Sequence, residues 1–381
     1  MMNPETVRPR SVVVVQTIIP DYRMPFVDEL GDRLGDGLLL VSGDEDWTHD
    51  VRHSAGAPAF RIQNRYVAGR QLLWQSGVLR PAFEAEVAVV SLNPRIVSNW
   101  IVIGARRLRR RRTLVWGHAW PRKGPGSRTD RVRDIMRRFA DAVIVYTERE
   151  ARDLRARRPA LEVTAAPNAL YRMAEMVPAD SVHLTDFLYV GRLNSSKKPG
   201  LLLEAFRLAS PSMPDDVRLV FIGTGPLQND LTERVVALGL ESRVSLLGHV
   251  SDVGALRQAY SSAIASVSPG YVGLSLIQSL GNGVPMLIAR DEPHAPEIEA
   301  IVEGENGWFF DSDSPEALAS LLAAIVAQRT SWTSRRALIA EQARATYSVE
   351  RMVDAFVAAL RLVDHEVAQR DPAPGDESST A

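Results

Sequence analysis

Two basic residues and a helix start in the second half of the chain could together bind phosphate. Arg192 and Lys197 come shortly after the apolar run at residues 187–190. A guanidinium can hold two phosphate oxygens at once, and an ammonium adds a point charge, so this pair is suited to a diphosphate. Gly273 and Leu274 stand where a turn gives way to a predicted helix, and the N–H groups at a helix start bind anions. These residues therefore indicate a phosphate-bearing ligand.

Four short apolar runs are predicted to position these groups. Each run is followed by Gly or Pro, as buried parallel strands usually are. In open α/β sheets, ligands bind at the carboxyl ends of the strands, so the residues after each run are candidates for the site. Residues 187–190 are followed by Gly191, and residues 217–222 by Gly223-Thr224-Gly225. Residues 244–247 are followed by Gly248-His249-Val250, and residues 263–267 by the turn from Ser268 to Gly273. Helices are predicted at residues 200–208, 227–238, 253–260, 274–280 and 315–328, with Ser314 as an N-cap before Pro315.

The first half of the chain alternates strands and helices in the same way, which predicts a second parallel sheet. Strands are predicted at residues 12–15, 37–41, 86–91, 113–116 and 142–146, and helices at residues 25–34 and 132–139. At 381 residues the chain is long for one domain and natural for two. An amphipathic helix is predicted at residues 349–367, and residues 371–381 are expected to form a disordered tail.

The order of these motifs, with Val284-Pro285 and the segment Gly304 to Gly307, resembles glycosyltransferase family 4. The resemblance covers residues 185–345 well and residues 11–170 more loosely. It implies an α/β protein with the GT-B fold, in which two Rossmann-like domains face a cleft and a C-terminal helix crosses back to the first domain. The expected bounds are 1–175 for the first domain, 176–348 for the second, 349–370 for the helix and 371–381 for the tail. The implied reaction transfers a hexosyl unit from a nucleoside diphosphate sugar with retention of configuration.

The resemblance also implies roles for single residues. Arg192 and Lys197 would bind the donor diphosphate and stabilise the negative charge that the leaving group gains. The turn Gly248-His249-Val250 would place backbone against the base, although His249 also fits a structural loop histidine. The implied donor-binding positions are Gly191, Gly223, Gly225, His249, Val250, Gly270, Gly273, Leu274 and Gln278.

At two positions the chain departs from the family pattern. Most members carry two glutamates eight residues apart, where this chain has Gly270 and Gln278. Gln278 can still hydrogen-bond a ribose diol through its amide, whereas Gly270 offers only backbone. A family branch shares this Gly–Gln form and a following His-x-Pro-Glu, here His294 to Glu297. We therefore favour an active variant, and a non-catalytic nucleotide- or glycan-binding protein remains the alternative.

Candidates for the acceptor side lie in the first half. By resemblance, His118 at a strand end would contact the donor sugar or position the acceptor, and the alternative is a histidine packed between Trp116 and Trp120. Tyr22 and Arg23 follow the first strand, where many relatives have a glycine-rich loop. Arg23 could bind the diphosphate or an acidic acceptor, or it could be an ordinary surface arginine.

Positive charge is concentrated in the first half of the chain. Residues 1–180 hold 29 Lys and Arg against 21 Asp and Glu, and residues 95–138 hold 14 basic against 2 acidic residues. The centre of this basic patch is Arg106 to Arg112. The patch could dock on anionic lipid headgroups, with Trp100 and residues 101–103 as an apolar anchor, or it could be a solvated face. Nucleic-acid binding is not expected, because the chain lacks a recognition motif.

Other chemistries find little support. The chain has no cysteine, which excludes disulfides and thiolate catalysis. The sequences at residues 44–46 and 311–313 match Asp-x-Asp on paper but are interpreted as loop carboxylates, so no metal and no cofactor beyond the nucleotide sugar is expected. A polar start and the lack of a long apolar stretch predict a cytoplasmic protein. Docking of the basic patch on lipid would place it peripherally on the inner face of the cell membrane. Three functions stay open: a glycosyltransferase acting on a glycan or lipid-linked acceptor, a nucleotide-sugar epimerase or hydrolase, and a non-catalytic binding protein.

Overall fold

The computed structural model describes residues 12–47, 53–121, 124–180, 183–250 and 252–363. The chain forms two compact units, Met1–Asn168 with Val349–Ala381, and Ala169–Ser348. The first boundary lies between residues 168 and 169, whereas the sequence analysis places it after residue 175. The expected tail at residues 371–381 lies outside the described residues.

The first unit is built on a seven-stranded parallel sheet with the strand order β3-β2-β1-β6-β7-β8-β9. Strand β1, which lies between β2 and β6 inside the sheet, consists of four consecutive valines and a glutamine, and the valines are buried because both faces of the sheet are covered. The strands are β1 (Val12–Gln16), β2 (Leu38–Ser42), β3 (Phe60–Arg61), β4 (Gln63–Val67), β5 (Leu72–Ser76), β6 (Val87–Ser91), β7 (Arg112–Trp116), β8 (Ala142–Val145) and β9 (Glu162–Ala165).

Strands β4 and β5 form a separate antiparallel hairpin that the sequence analysis does not predict. Strand β4 reads Gln-Asn-Arg-Tyr-Val, so it lacks the apolar alternation of a typical strand. Asn64 explains its position, because its side-chain amide donates to the backbone oxygens of Thr17 and Glu45. The helices of this part of the chain are α1 (Met24–Leu34), α2 (Leu79–Glu84), α3 (Val97–Leu108), α4 (Arg128–Phe139) and α5 (Glu148–Arg157).

The second unit contains a six-stranded parallel sheet with the order β12-β11-β10-β13-β14-β15. The four predicted strands are confirmed as β10 (Asp186–Val190), β11 (Arg218–Ile222), β12 (Val244–Leu246) and β13 (Ala263–Ser268). Two further strands, β14 (Met286–Ala289) and β15 (Gly307–Phe310), extend the sheet beyond the four apolar runs. Each is only four residues long, which makes its apolar run hard to separate from a loop.

Helices of the second unit cover both faces of its sheet. They are α6 (Pro199–Ala209), α7 (Gln228–Ala237), α8 (Val253–Ser261), α9 (Ser275–Gly281), α10 (Pro315–Ala327) and α11 (Arg329–Tyr347). The predicted N-cap at Ser314 is confirmed, since its hydroxyl accepts the N–H of Ala317 and Pro315 begins the helix. Helix α11, on which Arg335 and Glu341 are exposed while Arg336 is buried, was not predicted.

The last described helix, α12 (Val349–Arg361), belongs to the first unit by its contacts. Its apolar face packs on α1, β8 and β9, and Phe356 meets Phe26 edge to face at 5.4 Å. The expectation of a C-terminal helix that returns to the first domain is therefore confirmed, and the architecture is that of the GT-B fold. Of the helices that the structure describes, none combines the length and apolarity that crossing a bilayer requires.

Candidate functional site

The loop after β10 holds the predicted diphosphate-binding residues in a defined conformation. The hydroxyl of Tyr189 donates to the backbone oxygen of Arg192 at 2.8 Å. The side chain of Asn194 accepts the N–H of Lys197 at 3.2 Å, which caps the short 3-10 turn Ser195–Lys197. Arg192 is exposed on this loop. Hydrogen bonds thus fix this loop on both sides of the exposed Arg192.

Lys197 is the electrostatically unusual residue of this loop. Its ammonium donates to the backbone oxygen of Tyr271 at 2.7 Å and lies 4.6 Å from the centre of the Tyr271 ring. Burial lowers the pKa of Lys197 to about 8, because a desolvated ammonium is disfavoured. The adjacent Lys198 contrasts with it, since ion pairs with Glu292 and Asp313 raise its pKa despite some desolvation. Lys197 therefore holds a partly desolvated charge at the end of the sheet.

Two glycines after β11 allow the neighbouring loops to approach each other. A Cβ at Gly223, where φ is 138°, would lie 1.9 Å from the backbone oxygen of Gly191. A Cβ at Gly225 would lie 2.3 Å from the backbone oxygen of Leu193. The N–H of Leu193 donates to the oxygen of Thr224, which joins the loops. The lack of side chains at both positions thus serves loop packing, and their contact with a nucleotide remains a prediction.

Gly270 also has a packing role. A Cβ at this position would lie 2.4 Å from the backbone oxygen of Ser196, and the N–H of Tyr271 donates to that same oxygen at 2.9 Å. The loop after β13 is therefore hydrogen-bonded to the turn that carries Lys197. The glutamate that most relatives of the resembled family carry here could not be accommodated without moving this turn.

His294 clamps the other side of the same loop. Its Nδ1 accepts the N–H of Val272 at 3.1 Å, so in the neutral ring the proton is on Nε2, which donates to the oxygen of Ala289 at 2.7 Å. Burial lowers the pKa of His294, which favours this neutral form. The sequence analysis noted His294 only as part of a motif. Its clamp role depends on a partner 22 residues away, which sequence spacing does not indicate.

Gln278 is buried on α9 and already has a partner. Its Nε2 donates to the hydroxyl of Tyr171 at 2.7 Å, and burial raises the pKa of that phenol. A Cβ at Gly273 would lie in ordinary van der Waals contact, 3.6 Å from the side chains of Ala295 and Tyr271. Packing within the chain therefore does not require glycine at this position, and contact of Gly273 and Leu274 with a ligand remains a prediction.

The turn after β12 is the most open part of the predicted site. His249 is exposed, and Val250 is half-buried against the cluster around Tyr260. The N–H of Gly223 donates to the oxygen of Gly248, so this turn is joined to the loop after β11. The loops after β10, β11, β12 and β13 are thus linked in one continuous edge, as the sequence analysis expected.

In the first unit, Arg23 and His118 lie around an aromatic cluster. The guanidinium of Arg23 is 5.3 Å from the ring centre of Trp116, and it donates to the side-chain oxygen of Asn168 at 3.0 Å. His118 is half exposed and lies 4.8 Å edge-on from Tyr146, whose ring also packs on Trp116. Arg23 is therefore a half-buried arginine with a side-chain partner, and its role toward the diphosphate or an acidic acceptor remains a prediction. Tyr22, which precedes it, is exposed.

The basic patch is only partly available to a ligand. Arg106 is fully buried, and its guanidinium donates to Thr113 and to several backbone oxygens, including those of Ala85 and Glu86. Burial lowers its pKa to about 10. Val102 and Ile103, proposed as an apolar membrane anchor, are core residues instead. Both differences follow from helix α3, on which these three residues share the buried face.

Among the described residues, no group of three or more His, Asp or Glu side chains is placed to hold a metal ion. The carboxylates that match Asp-x-Asp have structural partners. Asp44 accepts the N–H of Asn64 at 2.9 Å, and Asp313 pairs with Lys198. These contacts agree with the interpretation of both segments as loop carboxylates.

With this geometry in view, the comparison with known families concerns mainly the second unit. Residues 183–346 match the family model of group 1 glycosyl transferases. The matched range contains β10 to β15 and the loops described above. The match supports a relationship to glycosyltransferases of the GT-B superfamily.

Curated relatives align over the same half. A D-inositol 3-phosphate glycosyltransferase of Corynebacterium glutamicum is 31% identical over 153 residues, which is 38% of this chain and 36% of the relative. A D-rhamnosyltransferase of Pseudomonas aeruginosa, WbpZ, is 31% identical over 139 residues, 34% of this chain and 33% of the relative. The chain thus aligns with only about a third of the length of these proteins.

Solved structures match over nearly the whole chain. Anabaena HepE in complex with UDP has a TM-score of 0.67 at 17% identity, covering 93% of this chain and 100% of that one. A glycosyltransferase from Rickettsia africae has a TM-score of 0.67 at 12% identity, covering 94% and 98%. At such low identity these likenesses establish the GT-B fold alone.

Proposed function

We propose that this chain is a retaining glycosyltransferase that moves a hexosyl unit from a nucleoside diphosphate sugar to a hydroxyl of a glycan or lipid-linked acceptor. One observation carries the proposal: the loops after β10 and β13 are joined through Ser196 and Tyr271, and Lys197 places a partly desolvated ammonium at their junction. A desolvated cation beside an exposed arginine is suited to a diphosphate leaving group. The family match over this unit supports the proposal.

In this proposal Arg192 and Lys197 stabilise the charge that develops on the leaving diphosphate, so they act more strongly in the transition state than in the ground state. Gln278 binds the ribose diol through its amide, and the backbone of Gly273 and Leu274 contacts the sugar or a phosphate. No metal ion takes part in this mechanism. We assign the chain to family 4, in a branch where Gly270 and Gln278 replace the glutamate pair.

On the acceptor side, His118 contacts the sugar or positions the acceptor. Arg23 contributes less directly, because its guanidinium already donates to Asn168. The products are a surface polysaccharide or a glycolipid, made at the cytoplasmic face of the cell membrane. A lipid-linked acceptor fits the basic character of the first unit, where the exposed arginines of the patch would face anionic headgroups.

Nucleotide binding is tested first, by thermal shift with uridine and guanosine diphosphates and their sugar conjugates. A ligand at 100 times its dissociation constant adds about 2.7 kcal/mol of stability. One nucleotide series should stabilise the protein, and Arg192→Ala should abolish that response. Arg207→Ala is the matched control, since Arg207 lies on α6 beside Glu204 and away from these loops. No response to either series would contradict the proposal.

Turnover is tested with the nucleotide sugar that binds. Release of nucleoside diphosphate that depends on an added glycan or lipid-linked acceptor supports transfer. Release of free sugar or of its epimer without acceptor would instead identify a hydrolase or an epimerase. Binding without any turnover, with every acceptor class offered, would identify a non-catalytic protein. The loss of catalysis would then be attributed to Gly270, which replaces the usual glutamate.

A further inference from the structure

Helix α4 exposes an ordered row of apolar and basic side chains. Val132, Ile135 and Phe139 are 42%, 44% and 45% exposed, and their spacing places them along one face of the helix. Arg131 and Arg138 are also exposed and border this row. The side of α4 that carries Asp130, Met136 and Arg137 is buried, so the row lies on the exposed side of the helix.

Helix α3, which packs beside α4, continues this surface. Its exposed apolar residues are Ile101 and Leu108, and Leu108 is 88% exposed. The guanidinium of Arg107 lies 5.8 Å from the ring centre of Phe139, so the two helices share one border. Arg109 and the two arginines after it are exposed at the end of α3. We call these exposed residues of the two helices the α3–α4 face.

The two carboxylates of α4 are both paired with arginines. Asp130 is buried and bonded to Arg137 and Arg157. Asp134 accepts from Arg158 at 2.6 Å, is mostly buried and also pairs with Arg138 at the border of the row, at 3.3 Å. Since these acidic groups are neutralised by arginines of the first unit, the α3–α4 face presents apolar side chains within a positive field.

We propose that the α3–α4 face is a docking surface for a bilayer of anionic lipids, in which Val132, Ile135, Phe139 and Leu108 enter the headgroup region. This deepens the lipid-surface part of the proposed function and replaces the anchor that the sequence suggested at residues 101–103. Apolar side chains ringed by arginines are typical of surfaces that lie in a membrane interface, where the cations meet phosphates and the apolar groups leave water.

Two other occupants fit the face less well. A second copy of this chain in a two-fold contact would bring the same arginines of both copies together, and like charges across an interface oppose association. A nucleic acid would meet the arginines but would leave Leu108 and Ile135 in water. An anionic bilayer satisfies both kinds of side chain at once.

The test is co-sedimentation of the full chain with vesicles of phosphatidylcholine, with and without phosphatidylglycerol. We expect binding to the anionic vesicles and at least ten-fold weaker binding to the neutral ones. The double variant Ile135→Ser with Phe139→Ser should lose binding at least ten-fold, and it should fold normally because both side chains are exposed. The matched control is Val236→Ser with Leu338→Ser, which removes two exposed apolar side chains from the second unit.

The outcomes separate this proposal from the proposed function. Equal binding to both vesicle types, no binding to either, or full binding by the Ile135 and Phe139 double variant would overturn the membrane proposal. A concentration-dependent dimer that this variant converts to a monomer would identify an interface between copies instead. The nucleotide thermal shift of the same variant should be unchanged. If the wild type shows no nucleotide thermal shift but binds anionic vesicles, the transferase proposal fails and the docking surface stands.

Discussion

Replacing Lys197 with methionine should stabilise the free protein and weaken its response to nucleotide. Methionine keeps the length and apolar volume of the lysine side chain but carries no charge. The substitution therefore removes a desolvated cation together with its hydrogen bond to Tyr271. If Lys197 serves a bound diphosphate rather than the fold, stability and binding must change in opposite directions.

The magnitude follows from the pKa of Lys197, which burial lowers from 10.5 to about 8. At 1.36 kcal/mol per pKa unit, burial penalises the protonated form by about 3 kcal/mol at most. Solvent access reduces this desolvation penalty to about 2 kcal/mol. Loss of the hydrogen bond to Tyr271 costs about 1 kcal/mol, which offsets part of the gain from removing the charge. We expect a net gain of about 1 kcal/mol at pH 7, or roughly 2–4 °C in melting temperature for a unit of this size. Loss of a charged hydrogen bond to phosphate should weaken nucleotide binding about ten- to hundred-fold.

The assay is thermal unfolding with and without uridine or guanosine diphosphate, using the series that stabilises the wild type. Lys198→Met is the matched control, because Lys198 is the adjacent lysine but pairs with Glu292 and Asp313. This variant should lose about 0–1 kcal/mol and keep its nucleotide response. A Lys197→Met protein that is clearly less stable than the wild type, or that binds nucleotide equally well, would refute the reasoning.

The pH dependence gives an independent check on Lys197. Its folded pKa lies below its unfolded value, so between pH about 8 and 10.5 the unfolded chain holds a proton that the folded chain has lost. This group therefore adds stability as pH rises through that window, and Lys197→Met should remove the increment. Nucleotide affinity should move the other way and fall between pH 7 and 9, because the ammonium loses its charge. An affinity that is constant over this range would contradict the assignment.

Three further predictions concern the loop after β13. Gly270→Glu introduces the residue that most relatives of the resembled family carry. It should lower the free energy of unfolding by about 1–3 kcal/mol and weaken nucleotide binding, since its Cβ would clash with Ser196. Denaturant unfolding measures the loss of stability, and a variant more active than the wild type would contradict the prediction. His294→Asn should keep an acceptor for the N–H of Val272 but remove the titrating ring. His294 becomes protonated as pH falls from 6.5 through its lowered pKa, so the wild type should lose stability and nucleotide affinity over this range. In pH titrations the variant should lose less of both. Gln278→Ala should raise the donor Michaelis constant with little change in kcat, and steady-state kinetics that show an unchanged constant would remove it from the ribose site.

The strands around the candidate site could be predicted because their signal is local. Four apolar runs with Gly or Pro behind them became β10 to β13, and their carboxyl ends lie along one edge of the sheet. The helix start at Ser314 was equally readable from two adjacent residues. In contrast, β4 was missed because it is held by Asn64, whose partners are 19 and 47 residues away.

The basic patch shows what a charge count misses. Six arginines between residues 106 and 112 look equivalent as a run, yet Arg106 is buried and Arg107 is exposed. Helical periodicity could have shown this, because Arg106 follows Val102 by four residues and Ile103 by three, so all three share a face. The apolar row on α4 carried the same kind of signal, but only the packing of the helix shows which face remains exposed.

The sequence by itself determined the strands β10 to β13, the glycines that follow them and the presence of Arg192 and Lys197 after a strand. These properties depend on neighbouring residues along the chain, where strand and turn propensities act. Only the tertiary structure decided why Gly223 and Gly270 lack side chains, that Lys197 is desolvated and that His294 clamps Val272. Each of these depends on backbone atoms from loops tens of residues away. Desolvation and steric exclusion are set by the atoms that lie near in the folded structure, and not by the residues that are adjacent in the sequence.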